Sequence, residues 1–132
     1  MFTQRLGARA KYQEWQGRRV KDAPTLSEEF PRLKSLTVNV RYFDSDVPEQ
    51  SHPLKFAVNV QNAKSVLRFH CPNDECIRGD FDLTEKLSKA VKKRNTRLTG
   101  EMPCPGWLNK TTIGTVRCHN VLHYALRLGY LR

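Results

Sequence analysis

The feature that most constrains this chain is the placement of its four cysteines in or beside turn-forming segments. One loop runs from Cys71 through Cys76 to Gly79, a second turn reads Cys104-Pro105-Gly106, and Cys118 ends a short strand-like fragment. A tight loop lets two sulfur atoms converge and turns backbone amides toward them, which offsets the charge of neighbouring thiolates. Two separated ligand pairs that fold onto one ion match the tetrahedral plan of structural zinc. The sequence therefore predicts one Zn2+ held by Cys71, Cys76, Cys104 and Cys118.

The ligand spacing leaves alternatives open. The pattern is Cys-x4-Cys, then 27 residues, then Cys-x13-Cys, and only the first pair has the short spacer common in zinc sites. The cysteines can instead be unconnected buried thiols, or form two disulfides in one of three connectivities. A histidine can also replace one ligand, because His70, His119 and His123 lie close in sequence to cysteines. An all-cysteine shell is favoured, since a lone histidine is more often a structural or surface residue.

These cysteine loops resemble those of zinc-ribbon-like domains, at the level of the superfamily. The resemblance covers roughly residues 66–120 and rests on Cys71-Pro72, on Cys76 with Gly79 just after it, and on Cys104-Pro105-Gly106. It implies that each knuckle supplies two cysteines to a structural ion, and that the chain has a partner such as nucleic acid or a ribonucleoprotein. This chain differs from that class in having a helix between the two halves and a second knuckle split between distant cysteines.

Alternation of apolar and polar residues predicts a β-sheet. A strand that buries one face has a period of two residues, and this period occurs at 36–43, 54–60 and, most clearly, 122–130. The first two segments flank turn-forming residues and predict an antiparallel hairpin. Shorter strands are predicted near 65–70, 98–102 and 115–118.

The stretch 83–95 is the best candidate for an amphipathic helix. Leu83, Leu87 and Val91 share one face at helical spacing, and this face needs a sheet to cover. A basic row on a neighbouring face consists of Lys86, Lys89, Lys93 and Arg97.

Together these patterns predict an α+β fold in which one amphipathic helix covers an antiparallel sheet of about five strands. At 132 residues a single domain is expected. We assign residues 25–132 to that domain and residues 1–24 to a basic N-terminal arm. Gly7 and Gly17 weaken any long helix in the arm, so it is expected to be partly helical at best.

Positive charge is concentrated in three segments of the chain, whose formal net charge is +10. Residues 1–21 and 85–97 each hold six basic residues and one acid, and residues 110–132 hold four basic residues and no acid, whereas residues 22–84 are net acidic. Clustered basic charge is the electrostatic footprint of a polyanion partner. The alternative is a solvated basic surface without a partner.

The chain has neither a long apolar run nor an apolar segment behind its basic N-terminus. A transmembrane helix needs about 20 apolar residues, so no membrane partner is expected, and a secretory signal is not indicated. A cytoplasmic location follows as the expectation. In that compartment cysteines stay reduced, which favours metal binding over disulfides.

Catalytic patterns are absent from the sequence. A four-thiolate shell is closed, whereas catalytic zinc keeps an open position for water. The sequence also lacks His-Glu-x-x-His, a phosphate-binding Gly-Lys-Ser/Thr loop, Gly-x-Ser-x-Gly and the zinc deaminase pattern. We therefore expect a protein that is not an enzyme, although adjacent Cys118 and His119 leave a Cys/His pair as a weaker possibility.

The resulting hypothesis is an RNA-, DNA- or ribosome-associated binding module with structural zinc. Its candidate phosphate contacts are Lys86, Lys89, Lys93, Arg97, Arg18 and Arg19, which carry no sequence information themselves. The alternative is a protein-interaction adaptor that uses the acidic central stretch or the exposed side of the C-terminal strand.

Overall fold

The chain folds as an α+β protein in which α-helices and small hairpins pack on one side of an antiparallel sheet. The computed structural model describes residues 2–44, 53–73, 76–110 and 114–132. Within these ranges the order of elements is α1 (Phe2–Asp22), α2 (Leu26–Glu29), β1 (Leu33–Asp44), β2 (Leu54–Val58), β3 (Arg68–His70), β4 (Asp80–Asp82), α3 (Thr84–Lys92), β5 (Arg97–Pro103), β6 (Trp107–Lys110), β7 (Gly114–Arg117) and β8 (Asn120–Tyr130).

The main sheet has the strand order β2-β1-β8-β5, and all of its neighbours are antiparallel. The predicted pairing of the strands near 36–43 and 54–60 is confirmed, with Val38 opposite Phe56. The C-terminal strand is also confirmed and is central, since β8 pairs with β1 on one side and β5 on the other. The described sheet has four strands instead of about five, because the remaining strands form two small sheets, β3–β4 and β6–β7.

One face of the main sheet forms the core. Val38 and Val40 of β1 and Leu122 and Leu126 of β8 are almost completely buried. Leu87 of α3, together with Phe69 and Phe81 of the β3–β4 hairpin, belongs to the same apolar cluster, and the Phe81 ring lies 5.8 Å from that of Tyr42. The period-two pattern of the sequence therefore identified the buried face correctly.

Helix α3 is shorter than the predicted helix at 83–95, because it ends in a left-handed turn. Arg94 has a φ of 54°, and the next amide, that of Asn95, donates to the carbonyl of Ala90 at 2.9 Å. This is a Schellman ending, in which glycine is the usual residue. Because arginine occupies this position instead of glycine, the sequence did not indicate that the helix ends here.

This early ending moves Arg97 out of the predicted basic row. Arg97 begins β5, where it is exposed and alternates with the half-buried Leu98. Leu98 belongs to the side of the sheet that faces the core, so Arg97 points to the opposite, open face. There it lies directly opposite Arg127 of β8. The expectation that Lys86, Lys89, Lys93 and Arg97 share one helical face was therefore wrong for Arg97.

The N-terminal segment forms a 21-residue helix, α1, and not the partly helical arm that its glycines suggested. A buried polar cluster holds this helix on the β3–β4 hairpin. Asp80 Oδ2 accepts hydrogen bonds from Gln16 Nε2 at 2.9 Å, Tyr12 OH at 3.2 Å and Arg68 Nε at 2.8 Å. Burial raises the pKa of Tyr12, so its hydroxyl stays protonated and available as a donor.

Arg19 adds an ion pair to this docking, with Nη1 2.6 Å from Asp82 Oδ2. Burial alone would raise the pKa of Asp82, but hydrogen bonds from Thr84 and the Arg19 guanidinium lower it overall. No helix in the described part of the chain is long and apolar enough to cross a membrane.

The burial of Leu126 gives a direct test of the core. Leu126 is 1% exposed at the centre of the sheet, and Leu126→Ala should lower the free energy of unfolding by about 2–5 kcal/mol through lost contacts and a residual cavity. Urea denaturation followed by circular dichroism measures this value. Arg127→Ala is the matched control, because the neighbouring side chain is exposed and should change stability by less than about 0.5 kcal/mol. Equal effects of the two variants would contradict the assigned face.

Candidate metal centre

Three loops bring the four cysteines together. Cys71 directly follows β3, and Cys76 lies in the loop that leads to β4. Cys104 follows β5, and Cys118 lies between β7 and β8. The site therefore joins both two-stranded sheets to one edge of the main sheet, as the two predicted ligand pairs required.

The sulfur positions fit one tetrahedral ion. Cys71 Sγ lies 3.7 Å from Cys118 Sγ, and Cys76 Sγ lies 3.6 Å from Cys104 Sγ. All four sulfur atoms lie within 4.8 Å of one another. A tetrahedron with metal–sulfur distances of about 2.3 Å has sulfur–sulfur edges of about 3.8 Å. The four cysteines can thus hold a metal ion with little rearrangement.

The alternative arrangements of these residues do not occur in the structure. All four cysteines are free thiols, and their sulfur separations far exceed the disulfide bond length of about 2.05 Å. They also form one cluster and are not unconnected thiols. His70 and His119 are exposed, and the metal-binding group found among the described residues consists of cysteines alone.

Backbone hydrogen bonds join the two cysteine loops directly. The amide of Ile77 donates to the carbonyl of Trp107 at 2.9 Å, and the amide of Trp107 donates to the carbonyl of Ile77 at 3.1 Å. The amide of Cys118 donates to the carbonyl of Gly106 at 3.1 Å. These bonds fix the distance between the first loop and the second, so the split knuckle closes although 13 residues separate its cysteines.

Hydrogen-bond donors surround the sulfur atoms. The amide of Gly106 lies 3.4 Å from Cys104 Sγ. The side-chain amide of Asn120 lies 3.5 Å from Cys71 Sγ and 3.8 Å from Cys118 Sγ. Such donors stabilise negative charge on thiolate ligands. Sequence analysis missed Asn120, because a buried asparagine two residues after a cysteine has no motif of its own.

Two glycines allow the loops to approach each other. A Cβ atom added to Gly79 would lie 2.6 Å from Cys71 Cβ, and one added to Gly106 would lie 2.5 Å from the carbonyl oxygen of Ile77. Both would also collide with Cys76 Sγ. These contacts explain why glycine occurs after each cysteine turn.

The crowded sulfur atoms favour protonated thiols when no ion balances their charge. Burial, followed by the nearby Cys71 sulfur, raises the pKa of Cys76 to about 12. The hydrogen bond with Cys104 and burial also raise the pKa of Cys71. Thiolates are the form that binds metal, so metal binding must release protons and must weaken as the pH falls.

The predicted phosphate contacts occupy different surfaces. Lys86, Lys89 and Lys93 are exposed on or just after α3, and Lys89 Nζ lies 3.2 Å from Glu85 Oε1. Arg97 lies on the open sheet face, as described above. Arg18 is exposed on α1, whereas Arg19 is half-buried against Asp82.

No family model, no curated protein and no solved structure matches this chain. The interpretation of the site therefore depends on its geometry and chemistry.

The tight approach at Gly106 predicts a strong effect of one methyl group. Gly106→Ala should weaken metal binding and lower the free energy of unfolding by about 1–3 kcal/mol, because it overpacks the contact between the loops. Competition with a chromophoric chelator and thermal unfolding measure the two effects. Gly17→Ala is the matched control, since a Cβ there meets no atom within 4 Å and should stabilise α1 by up to about 1 kcal/mol. An unchanged metal affinity in Gly106→Ala would show that the loops do not close as described.

Proposed function

We propose that this chain is a non-enzymatic, cytoplasmic binding module for nucleic acid or a ribonucleoprotein, with a structural Zn2+ at Cys71, Cys76, Cys104 and Cys118. The observation that carries the binding proposal is the segment 86–94. It holds five cationic side chains and no acid, and all five are exposed: Lys86, Lys89, Lys92, Lys93 and Arg94. Such a density of exposed charge suits a polyanion, whose phosphates neutralise several cations at once.

Helix α1 adds positive charge near the start of α3. Arg19 pairs with Asp82, which lies two residues before α3 begins. The cleft beside this pair is lined by Arg19 of α1, by Thr84 and Ser88 of α3 and by the acids Glu29, Asp82 and Glu85, so the ligand is expected to avoid it. Lys11, Arg18 and Lys21 are exposed on α1 and add further cations to the proposed contacts. The open face of the sheet carries other cations, among them Arg97 and Arg127, which are partners in the strand register.

The chemistry of the cysteine centre favours zinc in a structural role. A tetrahedral site of four sulfur ligands suits zinc or an iron–sulfur centre, and the cysteine loops resemble those of zinc ribbons. A four-thiolate shell leaves no coordination position for water. Together with the absence of catalytic motifs from the sequence, this supports a non-enzymatic function.

The second candidate function is a protein-interaction adaptor, which the exposed edge of the sheet favours. Strand β2 lies at one end of the strand order, and its Leu54 and Phe56 are exposed. An edge strand with apolar side chains can pair with a strand of another protein. Unlike phosphate contacts, this docking would depend weakly on salt.

Metal analysis tests the zinc proposal. Protein purified under reducing conditions should contain one zinc ion per chain by mass spectrometry or plasma emission. Cys71→Ser should lose the metal and unfold at lower temperature, because structural zinc contributes folding free energy directly. Loading should also require higher zinc concentrations as the pH falls, since protons compete for the thiolates. A fully folded, metal-free preparation would contradict this proposal.

Charge reversal on α3 tests the binding proposal. Lys89→Glu combined with Lys93→Glu should weaken binding to RNA and to DNA of any sequence, and should reduce the slope of log affinity against log salt by about two. Fluorescence anisotropy with labelled oligonucleotides over a salt series measures both quantities.

The control for this variant carries the same charge change on the open sheet face, as Arg41→Glu combined with Arg127→Glu. Both side chains are exposed, and the pair should have the smaller effect if the ligand lies along α1 and α3. A larger effect of the control would move the interface to the open face. A wild-type protein that binds no nucleic acid at low salt would falsify the proposal and favour the adaptor.

A further inference from the structure

We propose that Trp15 is a stacking platform for an unpaired base of single-stranded nucleic acid, beside the first cysteine loop. This inference rests on the proposed function and specifies the form of nucleic acid that it involves. Trp15 lies on α1 and is 53% exposed, the highest exposure among the large apolar side chains described. Its ring is not part of the buried core, so core packing does not explain why a tryptophan occurs at this position.

The aromatic surface is built from two neighbouring rings. The Trp15 and Tyr12 ring centroids are 6.1 Å apart, with an angle of 37° between the planes. Tyr12 is held in place, because its hydroxyl donates to Asp80 and accepts from Gln16 Nε2 at 2.9 Å. Gln16 itself is buried and bonded to Asp80. The platform therefore belongs to the docked part of α1.

Cationic groups frame this surface. The Arg78 guanidinium lies over the Tyr12 ring, with Cζ 5.5 Å from the ring centroid. Lys11, Tyr12, Trp15 and Arg78 line a cleft of about 460 Å³. Arg18 is exposed three residues after Trp15, which places it on a neighbouring part of the same helical face. The one acid close in sequence, Glu14, is about 100° around the helix from Trp15.

Arg78 reaches this position because of the cysteine loop. It lies between Cys76 and Gly79 and has a φ of 58°, a conformation that costs a non-glycine residue energy and persists only where its surroundings impose it. The loop that holds the metal ligands thus directs a cation toward the aromatic surface. A second cleft of about 430 Å³ shares Tyr12 and Arg78 and extends to Arg68 and His70, so a longer strand has room to follow the same groove.

An aromatic ring framed by cations matches the chemistry of a nucleotide. An unpaired base supplies a flat π surface for Trp15, and its phosphates meet Lys11, Arg18 and Arg78. Duplex DNA keeps its bases stacked inside the helix, so it offers only its phosphates to this site. A purely apolar protein segment would bury Trp15 but would leave the surrounding charges without counterions.

The test compares single-stranded and double-stranded ligands with variants of the platform. Labelled oligouridine, oligothymidine and a mixed-sequence DNA duplex are titrated at low salt and followed by fluorescence anisotropy. Trp15→Ala should weaken binding of at least one single strand by about 5- to 150-fold, the loss expected for one stacked base. Binding of the duplex should not change, and Trp15→Phe should retain most of the affinity for the single strand.

A second variant removes the cation without disturbing the loop. Arg78→Gly suits the left-handed backbone and should also weaken single-strand binding. Leu54→Ala is the control, because it removes an exposed apolar side chain from β2 and should have no effect. Addition of the single strand should also quench tryptophan fluorescence in the wild type but not in Trp15→Phe.

The outcomes separate this inference from the proposed function. If wild-type protein binds single strands and Trp15→Ala binds them equally well, the stacking site is wrong while nucleic-acid binding stands. The same conclusion follows if Trp15→Ala weakens duplex binding as much as single-strand binding. If wild-type protein binds none of the three ligands, the proposed function itself fails.

Discussion

The structure depends on the convergence of four sulfur atoms from three loops. Strands β3, β4, β6 and β7 have three or four residues each, and isolated two-stranded hairpins of this size are marginal in water. The cysteine cluster and the paired bonds between Ile77 and Trp107 tie both hairpins to the main sheet. Because the sulfur atoms are close and buried, they need either protons or a cation. Binding of a metal ion by these cysteines would therefore be coupled to the packing of this half of the molecule.

Much of the sheet was predictable, because its signal is local. Period-two alternation reflects which face of the sheet each side chain lies on. It identified β1, β2 and the central strand β8. The cysteine cluster was also predictable, since turn residues beside each cysteine indicate loops that can converge. The remainder depends on contacts between distant residues. Helix α1 is held by Gln16 and Asp80, a buried polar pair 64 residues apart, so its sequence shows no apolar stripe that would predict docking.

The end of α3 shows how one backbone angle redistributes charge. With Arg94 in the left-handed region the helix stops, and the next strand turns Arg97 toward the other side of the sheet. Arg97 then lies opposite Arg127, and like charges in directly opposed strand positions repel. The molecule consequently has cations on both sides of its sheet, although the linear sequence suggests a single row. The cations of the segment 86–94 are the denser set, and this distinguishes the two sides as binding surfaces.

A short segment, 76–82, connects the metal centre with the aromatic platform. It contains the ligand Cys76 and the close-packed Gly79, followed at once by Asp80, which anchors Gln16 and Tyr12. Just before Gly79, the guanidinium of Arg78 lies over the Tyr12 ring. The segment ends at Asp82, which pairs with Arg19. A change in the cysteine loop would therefore disturb the residues on which α1 rests. Removal of an ion held by the four cysteines would act on Trp15 through the contacts of Asp80 with Tyr12 and Gln16, although Trp15 is no part of the sulfur cluster.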